Sequence, residues 1–345
     1  MAAAVVVAGL AGARRASAEV SYRDGLTVSG SAGTMSLNVF VRPRYEYESD
    51  DGTGGSLSTM QMNLLGARLR AWDSRGRLYA QAMGGMAVDE PVLLDSYIDL
   101  LFGHGIGLRL GYFKVGFDEQ TAHGPFWLRM TQRSLDVEAL SYDYDMGVAL
   151  FGSVLGDSLS FSVSVTNGEA PSLENLNVDF LYAGRVALSL GRLLRWRRSE
   201  VAIGLGTAWT LEPWEPEPGA RVNRSIFTET LDISARLSRF TYTAAVLYRI
   251  GDPGAYGPIV HDIGWHFQTG VFLGEAFEVA AEVAHLLPDV VDGDGQDLEV
   301  AVVVNAFPDR GRMRVQLEYA YGMSFAEDAL ERDRHRVVLQ FQAVY

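Results

Sequence analysis

Apolar and polar residues alternate along most of this chain in segments of about ten residues, a length and period typical of membrane-spanning strands. The last segment has the clearest pattern. Val337, Leu339 and Phe341 would lie on one face of a strand, and Arg336 and Gln340 on the other. A period of two residues indicates a strand with one apolar and one polar face. The pattern therefore predicts amphipathic β-strands through most of the chain.

Sixteen segments carry this alternation. They are residues 35–48, 60–72, 77–88, 92–102, 105–115, 144–154, 158–166, 177–190, 199–211, 225–237, 239–250, 259–273, 276–287, 297–307, 312–321 and 335–345. The number is even, as is typical of a single-chain outer-membrane barrel. The sequence predicts an all-β fold, a transmembrane antiparallel β-barrel of 16 strands.

The connections between these segments alternate in length. Most connections at one end are tight turns, and those at the other are longer. The longer ones are 49–59, 116–143, 167–176, 212–224, 251–258, 288–296 and 322–334. Aromatic residues such as Tyr45, Tyr47, Phe102 and Phe240 fall at strand ends, as the two membrane interfaces favour. A soluble β-sandwich would also alternate, but it has no reason to sort loops and aromatic residues in this way.

The first residues have the features of a secretory signal. A short apolar run is followed by Ala16, Ser17 and Ala18, a small-residue cleavage pattern. We expect residues 1–18 to be a signal peptide and residues 19–345 to be a single β-barrel domain. The alternative is a frayed apolar N-terminus. No later segment has the long apolar run of a transmembrane helix.

Composition and charge exclude several kinds of protein. The 345 residues include no cysteine, which rules out disulfides and thiolate metal sites, and the net charge of -14 disfavours a nucleic-acid partner. Lys114 is the single lysine among 29 basic residues, so guanidinium groups supply nearly all positive charge. His261 and His266 would point to opposite faces of a strand and make no metal pair. We expect no metal, no cofactor and no enzymatic activity.

The longest connection, residues 116–143, is too apolar to extend into water. We expect it to fold into the barrel lumen and bury Phe126 and Trp127 against the wall. Arg129 or Arg133 would then lie near the narrowest point of the pore. The alternative is a loop that packs outward, as a cap or as a contact between subunits.

The polar face of the early strands is rich in arginine. Arg68, Arg70 and Arg109 fall there on strands predicted to be adjacent, together with Asp95 and Asp99. A guanidinium binds phosphate or carboxylate well because its donors match two oxygens at once. These residues are candidates for lining a pore and binding its solute. Alternatively, the arginines pair with Asp95, Asp99 and loop acids and stiffen the wall.

Four stretches of the chain resemble the phosphate-selective porins (porin O and P family). They are residues 63–70 (NLLGARLR), 94–98 (LDSYI), 109–117 (RLGYFKVGF) and 132–134 (QRS). The chain departs from the family pattern at Tyr112, Gly116 and Gln132. The resemblance covers residues 60 to 190 most clearly, and it implies a sixteen-stranded, homotrimeric outer-membrane channel.

These observations predict a porin in the outer membrane of a Gram-negative bacterium. It would lie in a lipid bilayer with lipopolysaccharide and pass small hydrophilic solutes or ions by diffusion. A preference for anions such as phosphate stays open, because the outer loops are acidic. One rival is an outer-membrane hydrolase using His261 or His285. The other is a barrel that serves as a sleeve or scaffold for a partner protein.

Overall fold

The computed structural model describes most of the chain after residue 18. The described residues are 19–21, 25–51, 54–87, 90–103, 105–124, 126, 128–168, 180–196, 199–214, 222–291, 295–309, 312–326 and 329–345. The predicted signal peptide lies outside them.

Eighteen described strands form one antiparallel sheet. They are β1 (Glu19–Ser21), β2 (Leu26–Gly30), β3 (Gly33–Asp50), β4 (Gly55–Asp73), β5 (Leu78–Ala87), β6 (Glu90–Gly103), β7 (Ile106–Lys114), β8 (Tyr144–Val154), β9 (Leu159–Thr166), β10 (Leu181–Ser189), β11 (Ser199–Trp214), β12 (Val222–Leu237), β13 (Phe240–Asp252), β14 (Val260–Phe272), β15 (Phe277–Leu287), β16 (Gln296–Asp309), β17 (Met313–Ala326) and β18 (Ala329–Val344).

The helices are short and lie in connections between strands. They are α1 (Glu119–Ala122), α2 (Leu135–Leu140), α3 (Leu190–Leu193) and the 3-10 helix Gly254–Tyr256. Among the described residues, none of the helices is long and apolar enough to span a membrane.

Strands β3 to β18 close into a ring of sixteen. Each pairs with the next, and β18 returns to β3 with Leu339 opposite Tyr45. Two backbone hydrogen bonds join Val39 and Tyr345 at this seam, at 2.5 and 2.8 Å. The short β1 and β2 extend the sheet beside β3 and lie outside the ring. The closed antiparallel barrel and its sixteen strands confirm the predicted fold.

The barrel is apolar outside and polar inside. On β3, Val39 is 50% exposed whereas its neighbour Asn38 is 4% exposed. On β18, Leu339 is 47% exposed whereas Gln340 is 1% exposed. Because the exposed faces are the apolar ones, the strands enclose polar side chains, the reverse of a soluble sandwich.

The tight connections lie together at one end of the barrel, which we call the turn end. They follow β4, β6, β8, β12, β14 and β16, and the longer link after β10 contains α3. The opposite end is the loop end. Between β7 and β8, the chain turns away from the loop end in residues 116–143, which we call the inner segment.

Strands extend into three predicted loops at the loop end, so those loop boundaries were wrong. Strand β3 continues to Asp50 and β4 begins at Gly55. Likewise β11 continues to Trp214 and β12 begins at Val222, and β17 continues to Ala326 and β18 begins at Ala329. Ion pairs between strands lie in these extensions, including one between Arg224 and Glu212 at 3.7 Å. Arg332 contacts Asp50, and Arg334 lies 3.6 Å from Glu299. The paired strands therefore extend beyond the apolar part of the outer surface.

Candidate functional site

The inner segment begins by packing against the far wall of the barrel. Phe117 is fully buried in a cluster with Leu181 of β10 and Leu247 of β13. Its carbonyl oxygen accepts a hydrogen bond of 3.3 Å from Arg185. Asp118 then begins α1, accepting from the Thr121 backbone amide at 2.9 Å. The cap fixes the direction in which the segment continues.

A buried hydrogen-bond network joins the middle of the segment to β14 and β15. Gln120 donates to the Ser134 hydroxyl at 2.6 Å, and Ser134 donates to Glu282 at 2.5 Å. His266 lies 3.1 Å from Gln120 and 2.9 Å from Asp136. Each polar group has a partner, as buried polar groups require.

The residues between α1 and α2 reach β15, β16 and β17. Both the Thr131 amide and hydroxyl donate to Glu318, at 2.7 and 2.9 Å. Asn305 donates to the carbonyl oxygen of Arg129 at 3.1 Å. The inner segment thus leaves the wall at β7 and lies against the inner face of strands far from it in sequence.

Phe126 extends these contacts to β3. Its ring meets Phe40 edge-on, with 5.0 Å between centroids, in a cluster with Leu64 and Met83. Phe126 is therefore buried against the wall, the position predicted for it. Trp127, predicted to accompany it, lies outside the described residues.

Two glycines on the wall make room for the inner segment. A Cβ at Gly206 would lie 2.2 Å from the carbonyl oxygen of Phe117, and one at Gly264 would lie 2.5 Å from Cβ of Asp136. Both separations are far below ordinary contact distances. The close approach of segment and wall requires glycine at both positions.

The arginines predicted to line the pore have different partners. Arg68 and Arg70 of β4 donate to the Asn38 amide oxygen at 3.4 and 3.0 Å. Arg109 of β7 binds Asp99 of β6 with two hydrogen bonds of 2.8 and 2.9 Å. The structure corrects the placement of these arginines on adjacent strands, because β5 and β6 lie between β4 and β7.

The other predicted site residues lie in separate surroundings. Arg129 pairs with Glu278 at 3.2 Å, and Arg133 with Asp143 at 2.8 Å. Burial acts to lower the pKa of Arg133, but the hydrogen bond and charge of Asp143 outweigh it and hold the pKa above its ordinary value. Asp95 lines a cavity near Arg109 and Lys114.

Of Arg68, Arg70 and Arg109, the wall-stiffening alternative describes Arg109, which pairs with Asp99. Arg129 and Arg133, predicted to lie at the narrowest point, also pair with carboxylates. Among the described residues, neither Arg68 nor Arg70 forms an ion pair.

Cavities lined by described residues lie around the inner segment. The turn-end cavity of about 1320 Å³ includes Arg129 in its lining. The middle cavity of about 440 Å³ includes Asp95 and Arg109. The loop-end cavity of about 550 Å³ includes Arg42 and Arg133. Open space thus lies on both sides of the segment, and the predicted residues are distributed among different cavities.

Sequence reasoning did not select the residues that anchor the inner segment. The main ones are His266, Glu282 and Glu318, all on the inner faces of their strands. It also did not select Arg42, which donates to Asn63 at 2.7 Å and lies over the Phe126 ring at 5.5 Å. Their inward positions in the alternating pattern were the available signal.

The histidines considered for a hydrolase lie on the outer face of the barrel. His261 lies 2.6 Å from the Tyr248 hydroxyl, and His285 packs against Trp265. Within the described ranges, no group of three or more His, Asp or Glu side chains could hold a metal ion.

Comparison with known proteins identifies the fold. No family model matches the chain, and no curated protein matches it. An anion-selective porin from Comamonas acidovorans is 13% identical, with a TM-score of 0.67 over 91% of this chain and all of that one. The outer membrane channel DcaP of Acinetobacter baumannii is 11% identical, with a TM-score of 0.69 over 92% of this chain and 99% of that one.

A third similar structure is OmpT of Vibrio cholerae in its trimer form. It is 12% identical, with a TM-score of 0.67 over 91% of this chain and 100% of that one. The chain has the fold of the outer-membrane porins. Identities this low carry the fold and no finer property, so the phosphate-selective resemblance stays a prediction.

Proposed function

We propose that this protein is a porin of the Gram-negative outer membrane that passes small hydrophilic solutes by diffusion. The observation that carries the proposal is a closed barrel with an apolar exterior, a polar lumen and cavities on both sides of the inner segment. A sixteen-stranded barrel is too wide for its own side chains to fill. Here a folded segment narrows it and leaves aqueous space.

The same geometry disfavours the sleeve alternative. The inner segment already contacts β14 to β18 and β3 from inside the barrel. A partner protein would have to displace a network of buried hydrogen bonds to enter. The hydrolase alternative is disfavoured by the outward histidines, whose neighbours are aromatic side chains.

The lumen charges support a preference for small anions. Arg68 and Arg70 bond a neutral amide, and no carboxylate among the described residues contacts them to cancel their charge. Arg129 and Arg133 contribute less because each pairs with an acid. Lumen charges set ion selectivity by attracting one sign and excluding the other. The acidic outer loops disfavour multivalent anions, so we place monovalent anions ahead of phosphate.

We further propose a homotrimer whose outer face contacts lipid and lipopolysaccharide. Aromatic side chains such as Tyr45, Tyr47 and Tyr319 are well exposed on the outside of the barrel. Such residues favour the interface between the hydrocarbon core and the head groups. The trimeric form of a similar fold supports the assembly. Light scattering of the detergent-solubilised protein measures the subunit number.

Planar-bilayer recording tests the channel directly. Purified protein is expected to insert as discrete conductance steps, and a potassium chloride gradient is expected to give a reversal potential of the sign for chloride preference. A bilayer that stays silent at high protein concentration would reject the channel. A conducting pore that prefers potassium would reject only the anion preference.

A further inference from the structure

Two aromatic rings lie on the polar inner wall at the turn end. Phe272 of β14 and Phe307 of β16 stack with 6.2 Å between centroids and 29° between ring planes. Both line the turn-end cavity. Along most of the inner wall the inward positions are polar or small, and neither ring belongs to an apolar cluster buried by the inner segment in the described structure. The stacked pair thus presents apolar surface to a water-filled space.

A guanidinium lies over each ring. Arg236 of β12 is 5.1 Å from the Phe272 centroid, and Arg314 of β17 is 6.0 Å from the Phe307 centroid. The two stacked rings on the inner wall therefore lie between two guanidinium groups. A cation over an aromatic face is attracted by the electron density of the ring. The contacts hold the two rings in a fixed arrangement beside the cavity.

Of these two arginines, Arg236 has the charge that is more accessible to a solute. Arg314 donates to the carbonyl oxygen of Leu128 in the inner segment and is buried. Arg236 is exposed within the cavity, and within the described residues it forms no ion pair. The nearest carboxylate in the ladder, Glu200, lies opposite it without an ion-pair contact. Glu278, on the same wall, is already bonded to Arg129 at 3.2 Å.

The remaining lining is rich in hydroxyl groups. Ser234 and Thr243 lie near this array, and Thr241 donates to Glu278 at 3.3 Å. With a volume of about 1320 Å³, the cavity exceeds the range of a typical small-molecule site. A small solute held against one wall would leave room for water and ions to pass.

We propose that the turn-end cavity binds flat aromatic monocarboxylates, with the solute ring against the edges of Phe272 and Phe307 and the carboxylate on Arg236. The inference rests on the proposed function, since it names the solute class that the pore would hold. Guanidinium supplies two parallel donors for a carboxylate, and aromatic pairs favour a flat partner over a puckered one. An inorganic anion would use the charge and leave the rings unused.

Titration calorimetry of the detergent-folded protein tests this site without requiring conduction. The probes are benzoate, its saturated analogue cyclohexanecarboxylate, and acetate. Benzoate is expected to bind about three- to tenfold more tightly than cyclohexanecarboxylate, the range that an aromatic pair supplies. Equal affinity for the two ring compounds would overturn the proposal, and so would an absence of benzoate binding.

Two variants and a matched control locate the site. F272L is expected to remove the difference between benzoate and cyclohexanecarboxylate, and R236Q to weaken both. The control is F240L, because Phe240 also lies beside an arginine, Arg239 at 5.3 Å, but on the outer face. F307L replaces F272L if the latter does not fold. Unchanged benzoate binding in the folded Phe variant would contradict the assignment.

The results separate this inference from the proposed function. A silent bilayer with selective benzoate binding would reject the channel and keep the site. Open conductance without benzoate selectivity would keep the channel and reject the site. In recordings, millimolar benzoate is expected to produce brief current blocks in wild type that are shorter in R236Q.

Discussion

Asp136 of the inner segment and His266 of β14 form a buried hydrogen bond, 2.9 Å from Oδ2 to Nδ1. The direction of this bond follows from its neighbours. Gln120 accepts from the Ser134 amide at 3.0 Å through Oε1, so its Nε2 faces His266 Nε2 at 3.1 Å. The imidazole therefore accepts at Nε2 and donates at Nδ1 to Asp136. Every member of the network specifies the orientation of the next.

Replacing His266 is expected to loosen the inner segment. H266A leaves the buried Asp136 carboxylate without this hydrogen-bond donor, which costs about 1 to 3 kcal/mol. We expect a lower urea midpoint of unfolding and larger, noisier single-channel currents. The control is H261A, on the same strand but on the outer face. If H266A gives currents as quiet as those of the wild type, the hydrogen bond between His266 and Asp136 does not hold the inner segment.

Removing two guanidiniums is expected to shift ion preference. R68Q with R70Q removes two charges that no carboxylate contacts in the part of the chain that the structure describes. The chloride-to-potassium permeability ratio should fall by about threefold or more, the effect of lost lumen charge at modest effective dielectric. Reversal potentials measure it. R109Q with D99N is the control, because it removes a bonded pair and leaves the net charge unchanged. Equal shifts in both variants would contradict the assignment.

Ionic strength is expected to change the preference of the wild-type pore. The screening length falls from about 30 Å at 0.01 M to about 10 Å at 0.1 M. The acidic outer loops then stop acting over the length of the pore, while the arginines at its wall still act on ions beside them. The permeability ratio should move toward chloride between these concentrations. A movement toward potassium would place the dominant positive charge away from the ion path.

A methyl group at the closest approach of wall and segment is expected to displace the segment. G206A introduces a Cβ 2.2 Å from the Phe117 carbonyl oxygen. Overpacking of this kind costs about 1 to 3 kcal/mol. We expect earlier unfolding on heating, seen as loss of the compact band in gel electrophoresis, and an altered conductance. G184A is the control, since its nearest neighbour would lie at 3.8 Å. Identical behaviour of the two variants would contradict the packing argument.

The sixteen barrel strands could be predicted because a two-residue period reports which face each side chain takes. Inward positions such as Arg68 and Arg70 followed from the same rule. The prediction ended the first barrel strand at residue 48, whereas β3 continues to Asp50, where charged residues still pair across strands. Alternation alone does not distinguish a solvated strand from an acidic loop.

The partners of the site residues could not be predicted in the same way. Ser134 and Glu282 are 148 positions apart, and only the path of the folded segment brings them together. Whether an arginine lies opposite a carboxylate depends on the register between neighbouring strands. Asp99 stands opposite Arg109, whereas Asn38 stands opposite Arg68. A shift of two residues would have changed which charges remain in the pore.

The inner segment connects β7 to β8 and is hydrogen-bonded to strands on the other side of the ring. It therefore links opposite walls of the barrel. A barrel whose wall is a single β-sheet can be flattened by lateral pressure from the bilayer, and flattening narrows its pore. Because the segment is hydrogen-bonded to β15, β16 and β17, we expect the passages on either side of it to keep their width when the tension of the surrounding bilayer changes. The pore that results would be insensitive to lateral pressure, although its wall is a single sheet.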